Sequence, residues 1–447
     1  MRRLRMINAA LYPDGGGRLY ELAAENGVWR TVREQESAVH EPDAVRLADI
    51  RLDEAGRGQT TVPGDPSAGE TAALDLEGRM LLPGFVDSHM HLDKAFTLPA
   101  VPNRSGTLLE AIENYRRAVS SFSKEDIRSR IIRTARLALS FGSTVLRSHL
   151  DFHLHAGADV AMRTIEAALE AREKLRHLID IQFFPMFPYH AHEPHYADLM
   201  KETIRMGMDG IGGAPHLSST PDDDIARLFR MADELGCPID LHVDENDDPN
   251  VRTVLTIAEQ TKRFGFEGKV TVGHLCSLAG MPQHIADEVI ERMAEARLKA
   301  VTLPAANLYL QGRGDKGVVR RGVTRVKELL AAGIPLAAAS DNIHDPFHPF
   351  GRGDLLQIAL ITGYAAHMGS PQDMRQLLRM ITVTAADVIG LQDYGVKPGR
   401  PADFVILDAR TPEEALTMLP AARWVGKRGR FVFASVAHGR WLEETES

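Results

Sequence analysis

The sequence predicts an α/β protein: a (β/α)8 TIM-like barrel with a small β-rich domain assembled from both ends of the chain. Three observations carry this reading. Eight apolar, strand-like runs begin near Phe85, Thr144, Asp180, Gly210, Ile239, Val270, Ala300 and Leu336. Most are followed by helical periodicity, as at 160–177, 222–235, 283–296 and 324–332. After a wider first gap the runs recur roughly every thirty residues, the size of one βα unit, and eight such units fill a barrel of about 250 residues or more. The rival is an open doubly wound sheet, which more often carries a Gly-rich phosphate loop after its first strand. No such loop stands at any strand end here.

The first eighty residues hold short apolar stretches, such as Leu19-Tyr20-Glu21-Leu22, cut by Gly, Pro and Asp. Short strands and turns are expected there. The C-terminal stretches Asp403-Phe404-Val405-Ile406-Leu407 and Arg430-Phe431-Val432-Phe433-Ala434 have the same character. The expected division is therefore 1–80 with 400–447 as the β-rich domain, and 81–399 as the catalytic barrel.

Composition narrows the function. The 447 residues are 44% hydrophobic, with 52 Lys+Arg against 61 Asp+Glu, a net charge of −9. That is an ordinary globular balance, and it lacks the basic excess a general nucleic-acid binder needs. No run of about 18 apolar residues is present, so no membrane partner is expected. Cys237 and Cys276 are too few for a disulfide framework or a Cys-based zinc site. The basic N-terminus lacks the apolar run of a signal peptide, and a soluble cytoplasmic protein is expected. A homo-oligomer is compatible with all of this. The oddity is 18 histidines.

In such a barrel the chemistry sits at the C-terminal ends of the strands. His89 and His91 close the first run, His149 the second, His216 the fourth, His242 the fifth and His274 the sixth; Asp341 ends the eighth. His89 and His91 alternate on one strand, so both imidazoles point to the same side. With His242 and Asp341 they make a candidate N/O ligand set for one metal ion, with room left for water.

These residues carry a resemblance. Leu82-Pro83-Gly84-Phe85-Val86-Asp87-Ser88-His89-Met90-His91 resembles the first-strand signature of the amidohydrolase superfamily. Leu241-His242-Val243-Asp244-Glu245, Leu310-Gln311-Gly312-Arg313 and Leu391-Gln392-Asp393-Tyr394-Gly395 are similar to stretches of its cytosine deaminase branch. The resemblance runs from about residue 80 to the C-terminus and implies a barrel carrying a small β-sandwich. It implies one divalent metal, Zn2+ or Fe2+, held by His89, His91, His242 and Asp341. Binuclear relatives carry a carboxylated lysine on the fourth strand, and 209–216 contains none. The implied reaction is hydrolytic deamination of a small N-heterocycle, with metal-bound hydroxide attacking the amino-bearing ring carbon. Glu245 is the implied proton shuttle, Asp341 accepts the water proton, and His274 orients the nucleophile and stabilises developing charge. Leu92, Asn342, Phe347 and Tyr189 are expected at the substrate; Gln311 either bonds substrate or closes its loop. His153 and His155 are read as pocket rim or surface, and His149, His190, His216 and His344 as pocket wall.

The chain also departs from the branch. Where cytosine deaminase has a glutamine after its third strand, Met186 stands here, or in a shifted register Pro188 or Tyr189. Asp93-Lys94-Ala95-Phe96 instead resembles N-isopropylammelide amidohydrolase. Losing an amide reader alters specificity strongly, so the substrate is expected to be a pyrimidine, a triazine or a related cyclic amidine. Two alternatives stay open: hydrolysis of a cyclic amide, and a catalytically silent ligand-binding barrel.

Overall fold

A computed structural model describes residues 3–47, 73–187, 194–421 and 423–437. The chain divides into two compact units, 1–84 with 395–447, and 85–394.

The first unit opens with β1 (Arg3–Leu11), β2 (Leu19–Glu25), β3 (Val28–Glu34), β4 (Val45–Arg46), β5 (Leu74–Asp75) and β6 (Met80–Pro83). The barrel unit follows with β7 (Phe85–Met90), β8 (Ser143–Leu150), β9 (Asp180–Phe187), β10 (Ile211–Gly213), β11 (Ile239–Val243), β12 (Val270–His274), β13 (Lys299–Thr302) and β14 (Leu336–Ala338). The chain then returns to the first unit with β15 (Phe404–Leu407), β16 (Arg423–Lys427) and β17 (Arg430–Ser435).

In the first unit nine strands form one hydrogen-bonded sheet, with β17-β16-β15-β6-β1-β2-β3 as its main path. Trp29 on β3 and Phe404 on β15 meet with ring centroids 5.8 Å apart, although three strands separate them along the sheet. The sheet therefore curls over one core that also takes in Leu22, Leu74 and Trp424. The sandwich expected from the sequence is thus one connected sheet folded on itself, with alternation supplying its inner face.

In the barrel unit β7 to β14 lie side by side in sequence order. Each pairing between neighbours is parallel, as βαβ crossovers require. The two edges meet through a parallel bridge between Met90 and Asp341, with the Asp341 amide donating to the His89 carbonyl at 2.9 Å. Closure thus joins two of the candidate ligands through the backbone. Intervening helices carry ordinary signals: Thr107 and Ser123 cap Leu108–Ala118 and Lys124–Ser140, and Gly236 ends Pro221–Leu235 in the left-handed region. At the opposite end, Val383–Val388 lies across the strand starts. Val86 donates to Ile381 O, Thr271 to Val388 O and Lys299 to Asp387 O, over a core of Val86, Val145, Val301 and Ile389. Packing fills one end of the barrel and leaves the polar chemistry at the other.

Candidate metal centre and surrounding pocket

Three imidazoles and a carboxylate converge at the closing edge of the barrel. His89 Nε2 and His91 Nε2 lie 3.1 and 3.0 Å from His242 Nε2. Asp341 Oδ1 lies 3.3 Å from His91 Nε2 and 3.8 Å from His89 Nε2. A tetrahedral site with bonds of about 2.1 Å has ligand–ligand edges of about 3.4 Å, so this spacing suits a divalent ion. The chemistry of the donors agrees. Burial first, then neighbouring imidazoles, holds His89 and His242 far below the ordinary histidine pKa, so both offer lone pairs. Burial pushes Asp341 up, but its closeness to His91 and His274 outweighs this and holds the carboxylate below the ordinary aspartate value. Lone pairs facing one another within 3.1 Å are unfavourable without a cation between them. The residues fit a metal.

Backbone conformation aims the remaining groups. His274, Leu275, Asp244 and Asp341 all have positive φ, between 51° and 70°. Such a conformation is costly for non-glycine residues and persists only where the surroundings over-determine it. At Asp244 the restraints are visible. Its carboxylate accepts from Thr253 N, Thr253 Oγ1 and Val254 N at the start of Thr253–Phe264, and its carbonyl accepts from Ser277 N. The next residue, Glu245, is buried with Oε1 3.5 Å from His274 Nδ1. Burial and then Asp341 push its carboxyl well above the ordinary glutamate value. Burial brings His274 down to about 4.

The structure thus brings His89, His91, His242, Asp341, Glu245 and His274 into one cluster. Leu92, Gln311 and Phe347 are buried on the segments leaving β7, β13 and β14. The Asn342 amide is committed to Asp345 Oδ2 at 2.7 Å. Tyr189 and His190 lie outside the described residues. His153 sits 3.2 Å from Asp151, His155 is exposed, and His344 Nδ1 donates to Pro349 O.

His149 differs from its expected place. Its ring lies 4.1 Å from that of His89 and 6.1 Å from that of Phe184, deep in the barrel. It shares this layer with Arg147, whose guanidinium donates to Asp240 at 2.7 Å, Gln182 at 2.9 Å and Ile389 O at 2.8 Å. A lone arginine and a lone aspartate inside otherwise apolar strand runs were the available signal, since a buried charge demands a partner. Asn307 was also missed. It is fully buried, with its amide 3.0 Å from His274 Nδ1, and an asparagine within an apolar helical turn was the only hint. Lys94 is a third case: wholly buried, 2.9 Å from Asp151 and 4.6 Å from the Phe347 ring centre.

Comparison with known proteins agrees with this geometry. Residues 72–140 and 147–433 match the Amidohydrolase family. A pterin deaminase from Rhizobium rhizogenes is 34% identical over 387 residues, covering 86% of this chain and 87% of the relative. An N-isopropylammelide isopropyl amidohydrolase from a Pseudomonas species is 30% identical over 372 residues, covering 80% and 87%. The crystal structure of 5-methylcytosine deaminase from Klebsiella pneumoniae matches with a TM-score of 0.85 at 29% identity, covering 98% of this chain and 99% of that one.

Proposed function

We propose that this chain, which belongs to the amidohydrolase family, is a hydrolytic deaminase of a small amino-substituted nitrogen heterocycle, with the barrel unit as its catalytic domain. It is an amidohydrolase acting on C–N bonds. The observation that carries the finer reading is Glu245, buried beside the ligand cluster and 3.5 Å from His274. Pterin, 5-methylcytosine and N-isopropylammelide, named for the relatives, are all amino-bearing heterocycles, which supports the same class.

His89, His91, His242 and Asp341 would hold one divalent ion, Zn2+ or Fe2+. Such an ion supplies Lewis acidity, which makes water a competent nucleophile near neutral pH. A second ion is disfavoured. The other compact acid–imidazole group, His89, His149 and Asp240, already has the Arg147 guanidinium on its carboxylate at 2.7 Å.

Asp341 accepts the proton of the attacking water. Glu245, kept protonated by its burial, delivers a proton to the ring nitrogen next to the reacting carbon. Having lost that proton, it takes the one remaining on the added hydroxyl and passes it to the exocyclic amine; the C–N bond breaks, ammonia leaves a ring carbonyl behind, and the proton held by Asp341 restores Glu245. His274 orients the water and steadies developing charge, while Asn307 holds its ring. Phe347 covers the heterocycle.

The test is an ammonia-release screen of metal-loaded protein over aminopyrimidines, aminotriazines, pterins and aminopurines, with cyclic imides alongside. Ammonia from at least one amino-heterocycle is the expected result. Ring opening of an imide with no ammonia from any amino-heterocycle would replace this reading with cyclic amide hydrolysis.

A further inference from the structure

The segment leaving β10, as far as Leu217, carries one polar side chain. Gly212, Gly213, Ala214 and Pro215 carry no side-chain polar atom, and His216 follows in the single turn Pro215–Leu217. His216 Nδ1 lies 3.3 Å from the backbone carbonyl of His242. A carbonyl only accepts, so Nδ1 carries the ring hydrogen and Nε2 of the neutral ring is a bare acceptor. That Nε2 is shut off from solvent and has no hydrogen-bond partner among the described residues. Buried acceptors without a partner are rare, and each one calls for an explanation.

Its surroundings supply one. The ring hangs on the strand segment that carries His242, two residues from Asp244 and three from Glu245. It is near enough to His274 that the two rings would repel if both were charged. On the neighbouring strand, Gln182 and Phe184 face the barrel interior, the first bonded to Arg147 and the second packed on it. Alternation turns Met186 to the same side, level with Gly212. Among the described residues, this side of the barrel mouth therefore offers an apolar thioether and one lone acceptor.

We propose that His216 is a specificity-determining residue, its Nε2 accepting a substrate N–H. It selects amino-heterocycles that carry a lactam-type ring N–H or a second amino group on the edge facing β10. This deepens the deaminase reading and rests on it.

Two substitutions separate acceptor from clasp, because an asparagine amide reproduces Nδ1 and a glutamine amide reproduces Nε2. H216N keeps the donor to His242 O and loses the acceptor; H216Q does the reverse. Metal-loaded wild type and both variants are assayed for ammonia release from pterin, cytosine and 2-aminopyrimidin-4-one. The best of these is then compared with its ring-N-methyl derivative, and metal content is measured throughout. The expected result for H216N is a fall of about 10- to 100-fold in kcat/KM, mainly through KM, with N–H and N-methyl substrates no longer distinguished. H216Q should stay within about fivefold of wild type and keep the distinction, and both variants should keep their metal. The opposite order, or equal losses with the distinction intact, makes His216 a structural clasp and overturns the proposal while the deaminase reading stands. Failure of wild type to prefer the N–H substrate overturns it without reference to either variant. Where none of the three releases ammonia, the best amino-heterocycle of the wider screen takes their place; no ammonia from any amino-heterocycle removes the deaminase reading, and this proposal falls with it.

Discussion

Two polar layers lie buried next to each other in the barrel, and they are compensated in different ways. In one, Arg147 donates to Asp240, Gln182 and Ile389 O, and His149 packs between this network and His89. Its cation, its anion and most of its donors come from the chain itself. In the other, His89, His91, His242 and Asp341 bring acceptors together at separations of 3.0–3.8 Å, with no lysine or arginine among the described residues hydrogen-bonded to any of them. A buried cluster closed by its own counter-charge is structure. One whose lone pairs converge is a place for something else to bind.

That contrast can be broken, most severely at the second layer. His242→Ala, or removal of metal by a chelator, should reduce ammonia release to background, and metal analysis should fall from about one ion per chain to none. Retained activity at zero metal would make both layers structural. Next in size, Glu245→Gln should keep the metal and lose roughly 10²- to 10⁴-fold in kcat, read from steady-state kinetics beside metal analysis. Full activity in that variant would remove Glu245 from the proton path.

The Arg147 layer should respond in stability instead. Asp240→Ala leaves the Arg147 guanidinium buried without its anion, an expected loss of about 3–5 kcal/mol in urea unfolding. Replacing both partners with apolar residues of similar volume should cost much less, because no charge is then stranded. The smallest effect concerns pH and sharpens the electrostatic side. Glu245 has a folded pKa above its unfolded value, so its contribution to stability is fully present below about 4.3 and is lost as pH rises towards the folded value. Metal-free wild type should therefore lose stability relative to Glu245→Gln as pH rises above about 4.3, and bound metal should shrink the difference.

Much of this was readable along the chain. The barrel strands start within one residue of the runs seen in the sequence, because each run must be apolar to be buried and turn signals bound it. The ligand set was readable because alternation on β7 commits His89 and His91 to one side. His149 was not placed correctly: it closes an apolar run as His242 does, and nothing local says which of two neighbouring layers its ring enters. Asn307 was invisible for a related reason, since its importance lies in a contact with His274, 33 positions away.

What the sequence determined by itself, then, was direction: the period of each element and the side to which each strand-end group points. Both follow from backbone geometry that repeats every few residues. Only the tertiary structure decided company. Closing β14 against β7 set Asp341 beside His89 and His91, and strand order set Asp240 against Arg147 and left His216 Nε2 without a partner among the described residues. Those are distances across a barrel between residues tens to hundreds of positions apart, and no local pattern encodes them.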